Sequence, residues 1–168
     1  MRRKSFEDIE CGIAQALERI GDPWTLLIVR EILLGTSTFE GLHSHLGIAR
    51  NTLAARLRSL AEAGILERHE HPSDGRRTRY RPTEAGRELL LVLATLQQWG
   101  NKWAYGDRGA PTMMVERRSH KPIAPIELRS QKGRRLHLRD VTLSPGPTAS
   151  PALLRRFELS RDPDSDAR

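Results

Sequence analysis

Apolar residues recur at helical spacing through most of the first hundred positions. Phe6, Ile9, Ile13, Leu17 and Ile20 share one face of a helix that Ser5 would cap, with Asp8 three residues later as in a capping box and Gly21 as the stop. Asp22 then caps a second helix, Pro23 suits its first turn, and Trp24, Leu27, Ile28 and Ile32 form a stripe that runs to Gly35. Phe39, Leu42, Leu46 and Ile48 mark a short helix ending at Gly47, and from Ala49 the leucines 53, 57 and 60 mark a longer one closed by Gly64. Short helix, glycine turn and longer helix form the helix-turn-helix pattern.

The period then changes from helical to alternating. "ILERHEH", the turn "PSDG" and "RRTRYRP" predict a β-hairpin, with Arg77, Arg79 and Arg81 on one face and Thr78 and Tyr80 on the other. Thr83 would cap a further helix, in which Leu89, Leu93, Leu96, Gly100 and Trp103 recur as a heptad-like seam suited to a homodimer interface made with the N-terminal helix. Past Trp103 helical periodicity stops. The expected fold is mainly α with a small β-hairpin wing, a winged helix-turn-helix over 1–106. A small β-rich extension over 107–147 and a disordered tail over 148–168 complete the reading.

Charge sharpens this picture. The chain carries 28 basic and 21 acidic residues, a net of +7, which favours a polyanionic partner. From Ala49 to Pro82 eight arginines face four acids, so the excess sits on the helix and hairpin that would lie along a duplex. A second basic cluster spans 117–139. The single cysteine excludes an internal disulfide, and the longest apolar runs, "LLIV" and "LLLVLA", are far short of the ~20 residues that span a bilayer. The chain is therefore read as cytoplasmic, with no membrane partner.

The stretches "CGIAQALERIGDPWTLLIVREILLG", "FEGL", "GIARNTLAARLRSLAEAGILER" and "YRPTEAGREL" together resemble the HxlR-type winged helix-turn-helix transcriptional regulators, relatives of the MarR group, from about Cys11 to Trp103. The resemblance implies a homodimeric, DNA-binding regulator, often a repressor, that answers to a small molecule or to redox chemistry. Two departures stand out: Ala49 where a capping serine is frequent, and Pro82 where leucine is frequent, which would shorten the second wing strand. In some relatives the extension carries cysteines around the "SHK" and "RSQKG" positions, as in a metal-binding knuckle. Without them here, a metal-free remnant is expected.

The candidate DNA-binding residues are Arg50, Asn51, Thr52, Ala55, Arg56, Arg58 and Ser59 on the second helix of the pair, and Arg76, Arg77 and Arg79 on the wing. Asn can read adenine, Arg can read guanine or bind phosphate, and an Ala methyl can meet the thymine methyl. The partner is a pseudo-palindromic double-stranded operator. Cys11, off the apolar stripe, is a candidate redox sensor or an inert residue of the dimer seam. Trp24, Leu93, Leu96, Trp99 and Trp103 are candidates for the dimer interface or an effector pocket. The His43/His45 and His69/His71 pairs lack companions for a metal site; no metal and no cofactor are expected. Nor does any nucleophile elbow, phosphate loop or carboxylate pair suggest an enzyme. The alternative function is a ligand-binding or protein-interaction module that keeps the winged-helix fold and has lost DNA binding.

Overall fold

The structure, a computed structural model, describes residues 5–71 and 74–159, with the side chains of 70–77 outside that description. Its elements are α1 (Gly12–Ile20), α2 (Pro23–Leu33), α3 (Phe39–Leu46), α4 (Arg50–Glu62), β1 (Leu66–His71), β2 (Asp74–Pro82), α5 (Glu84–Gly100) and α6 (Pro151–Leu159). The chain divides into two compact units, one of Ala16–Ile126 and one joining residues 5–15 to residues 127–159.

In the first unit the predicted stripes become a core. Ile28, Val29, Leu42, Leu53, Leu57 and Leu60 are almost wholly withdrawn from solvent, joined by Ile20, Ile32, Ile48, Ile65, Leu66 and Leu93. Three of the helix starts in this unit are closed by side chains. Asp22 accepts from the N–H of Trp24, Thr38 from Gly41 and Thr83 from Gly86. Gly47, at φ 61°, ends α3 in the left-handed conformation that glycine adopts without strain.

β1 and β2 pair antiparallel, Leu66 with Pro82, Arg68 with Tyr80 and His69 with Arg79. Pro82 thus does not shorten β2. As the last strand residue it adds little that a proline cannot supply, and Thr83 N–H continues to the carbonyl of Ile65 at 3.1 Å. Gly86 is needed on steric grounds: a Cβ there would stand 2.2 Å from the Ile65 carbonyl oxygen, so α5 can lie against the end of the α4–β1 connection only because the side chain is absent.

Three expectations are corrected. The first helix begins at Gly12, not near Phe6. Ser5 Oγ accepts from Glu7 N–H in a local turn, and the Gln15 amide donates to the carbonyls of Phe6, Glu7 and Ile9, which fixes residues 6–11 outside the helix. Over 107–147 no strand forms. Two turns closed by the isolated bridges Val115–Pro122 and Arg129–Arg135, and a 3-10 turn at Leu138–Asp140, take their place. Finally, Pro151–Leu159, assigned to a disordered tail, is helical: Ser150 caps it by accepting from Leu153 N–H, and proline fits its first turn. The Glu10 carboxylate accepts from Ser150 N–H at 2.9 Å and adds negative charge at that helix start.

Candidate nucleic-acid interface

α4 is oriented by what it buries. Leu53, Leu57 and Leu60 face the core, so Asn51, Ala55, Arg58 and Ser59 are exposed on the opposite side, with Thr52 and Arg56 half-buried at its flanks. Ala49 gives no side-chain cap, which leaves the first N–H groups of α4 without a side-chain acceptor. Ser59 Oγ donates back to the Ala55 carbonyl at 3.1 Å, and its oxygen still has lone pairs that face outward.

Two of the expected arginines are engaged within the chain. Arg50 forms a two-pronged ion pair with Glu40 of α3, one arm at 2.9 Å, and its guanidinium lies 5.1 Å from the centre of the Phe39 ring. The hydrogen bonds from Arg50 hold the Glu40 carboxyl below the usual carboxylate range. Arg56 Nη2 pairs with Asp22 Oδ2 at 3.0 Å, and its Nε is covered from solvent with no partner. Sequence reasoning counted both among the DNA-binding candidates and missed their acids, because Glu40 lies on α3 and Asp22 at the start of α2. The only available signal was the opposite charge at the N-terminal ends of α2 and α3.

The wing carries the predicted alternation where its side chains are described. Arg79 and Arg81 are exposed, whereas Thr78 and Tyr80 are half-buried and Tyr80 packs on the core. Arg76 and Arg77 lie on β2, but their side chains fall outside the described residues. The segment "TST" contributes more than a connection: Thr38 bridges to Arg79 and Ser37 accepts from Tyr80 N–H at 2.8 Å. Thr38 therefore caps α3 and also anchors the wing base, so hairpin and helix pair form one surface.

The other candidates are dispersed. Trp24 and Leu93 pack on the core, while Leu96, Trp99 and Trp103 are about half to two-thirds exposed on the far part of α5 and the π-helical turn Asn101–Tyr105 that follows it. Cys11 is exposed at the start of α1, where hydrogen bonds from the backbone N–H groups of Ala14 and Ile13 hold its thiol below the ordinary value. A cleft of about 430 Å³ within the second unit has Cys11 on its wall beside Leu143, Leu153 and Phe157. His45 Nδ1 lies 3.1 Å from Glu31 and His69 Nε2 3.2 Å from Glu67, and no group of three metal-ligating side chains occurs among the described residues. Nor is any described helix long and apolar enough to cross a membrane.

This geometry agrees with what the chain is similar to. It is 38% identical over 136 residues, 81% of this chain and 86% of the other, to the uncharacterized HTH-type transcriptional regulator Rv3095 of Mycobacterium tuberculosis. The crystal structure of PA1607 covers 84% of this chain and 99% of its own, at 34% identity and a TM-score of 0.79. The oxidized form of the redox regulator HypR covers 54% of this chain and 94% of its own, at 25% identity and a TM-score of 0.50. The model of the HxlR-like helix-turn-helix family matches residues 19–108, the whole span from the end of α1 through the wing to the turns after α5, and the chain belongs to that family of transcriptional regulators.

Proposed function

We propose that this regulator acts in the cytoplasm as a homodimeric repressor, placing α4 of each protomer in successive major grooves of a pseudo-palindromic operator. The observation that carries the reading is the outward face of α4, where Asn51, Ala55, Arg58 and Ser59 stand exposed over three fully buried leucines. Arg79 continues the cationic surface on the wing, and Arg76 and Arg77, earlier in the same strand, are proposed as further DNA contacts from the sequence. Arg50 meets phosphate by exchanging Glu40, an exposed pair that costs little to break.

Dimer formation is supported by the apolar surface of α5. Leu90, Leu91, Val92, Leu96 and Trp99 are all exposed, as are Ile13 and Leu17 on α1, more apolar surface than a solitary helix keeps in water. The same tryptophan-rich end of α5 is where a small-molecule effector would bind between protomers. Cys11 is the thiol for a redox response: its place at a helix start, its lowered pKa and the similarity to the redox regulator HypR support that role.

The test is selection from random duplexes, with light scattering for oligomeric state. The wild type is expected to enrich a palindromic motif as a dimer, and an Asn51→Ala, Arg58→Ala double variant to lose selection while keeping the dimer. Equal, unselective binding by both proteins would leave the interaction-module reading in its place. For Cys11, the pH profile of iodoacetamide alkylation is expected to reach its midpoint below the ~8.5 of a free thiol.

A further inference from the structure

We propose that Arg56 is a positioning residue, which fixes the roll of α4 through Asp22 and does not itself touch DNA; the proposal rests on the reading of α4 as the helix that enters the groove. The two oxygens of Asp22 have separate tasks. Oδ1 accepts the N–H of Trp24 at 3.0 Å and closes the start of α2, while Oδ2 forms an ion pair with Arg56 Nη2 at 3.0 Å. The cap immobilises the carboxylate, so Arg56 is held by an anchor belonging to the core helix α2 and not by a mobile surface side chain.

Burial separates this pair from the exposed one beside it. The Asp22 and Arg56 side chains are 20% and 36% exposed, against 69% and 57% for Glu40 and Arg50. Arg56 Nε is covered by protein with no partner, so the inner edge of the guanidinium already faces inward. Swinging it to a phosphate would break the ion pair and strand a charge beside the α2 cap. Arg50 can change partners in water at little cost, and Arg56 cannot.

The pair also supplies what the leucines lack. Leu53, Leu57 and Leu60 hold α4 by apolar burial, which is not directional and tolerates small rotations about the helix axis. An ion pair off that seam, to an acid held in place by its cap, favours the rotation that keeps the two charges together, and with it the direction in which Asn51, Ala55 and Ser59 point. Rotating α4 would keep the nonspecific attraction of its charges and lose the match to bases. Arg56 thus governs the specificity ratio more than the total affinity.

Asp22→Asn isolates the pair, because asparagine caps a helix as well as aspartate and removes only the charge facing Arg56. The variants Asp22→Asn, Arg56→Ala and the double are compared with wild type on the selected duplex and on a scrambled one across a salt series. Binding to the selected duplex is expected to weaken about tenfold in each single variant and no further in the double, as for two groups acting through one contact. The scrambled duplex and the salt slope should be unchanged. A slope reduced by about one in Arg56→Ala, together with tighter binding by Asp22→Asn, would make Arg56 a phosphate contact and overturn the proposal. Wild-type affinity in both single variants would overturn it as well. Amide exchange without DNA keeps the question separate from the operator reading. Asp22→Asn should speed exchange along α4 and leave the first turn of α2 protected, and unchanged protection of α4 would refute the positioning role even if no duplex were selected.

Discussion

The two units of this chain are built by different means. In residues 16–126 helices and hairpin surround a continuous core, and seven side chains there, Ile48 among them, are almost completely buried. In residues 5–15 and 127–159, Ala14 is the one buried side chain among those described, and Leu128, Leu138 and Leu143 lie 66%, 89% and 78% exposed. Hydrogen-bonded turns and ion pairs hold that second unit: Arg134 with Asp140, Arg129 and Arg135 with Glu127, and Asp140 accepting from His137 N–H. Such contacts define a local shape and add little stability, because exposed ion pairs are worth roughly 0–1 kcal/mol each. Apolar burial makes the first unit cooperative, and local polar geometry makes the second merely ordered.

The contrast is broken most severely at Gly86. Gly86→Ala forces a methyl into the Ile65 carbonyl and should destabilise the first unit by about 3 kcal/mol or more, read as a lower midpoint in urea denaturation. Leu57→Ala should cost about 2–5 kcal/mol by the same measurement, since its fully buried site cannot collapse without moving α4. Thr83→Val removes the acceptor for Gly86 N–H and the donor to the Gly64 carbonyl, and about 1–2 kcal/mol is expected. Arg134→Ala in the second unit should cost under about 1 kcal/mol, while amide exchange at Ser130 and Arg134 accelerates. A loss as large as that of Leu57→Ala would show that the polar turns are cooperative after all.

The smallest effect is one of pH. Burial acts to raise the Glu31 carboxyl, but hydrogen bonds from Arg30 and His45 outweigh it and leave the group below its ordinary value. A lowered carboxyl pKa contributes stability above the unfolded-state value and loses it as pH falls through the folded one. Thermal denaturation from pH 6 down to about pH 3 should therefore show a shallower decline for Glu31→Gln than for the wild type.

What could be read from the chain follows the same division. Asp22, Thr83, Gly47 and Gly64 declare their helix ends locally, and the leucines of α4 declare the face it buries, so α2 to α5 and the wing are legible. The residues 6–11 escaped because Gln15 competes for carbonyls that a longer helix would use internally, and periodicity says nothing of such competition. The pairs of Arg50 with Glu40 and Arg56 with Asp22 escaped because they join separate helices. In the extension no core imposes a period, so turns held by side-chain hydrogen bonds looked like short strands, and α6 was hidden by the prolines and serines before it.

The contact at Gly86 also has a mechanical meaning. α5 is 17 residues long, about 25 Å, and its third residue rests on the carbonyl that begins the wing. The helix is thus a lever whose fulcrum lies almost at one end. A tilt of about 10° there moves the wing base by less than ~1 Å and carries the tryptophan-bearing end through about 4 Å. For a rigid helix the same rotation is therefore a large displacement at Leu96 and Trp99 and a small one at the wing base.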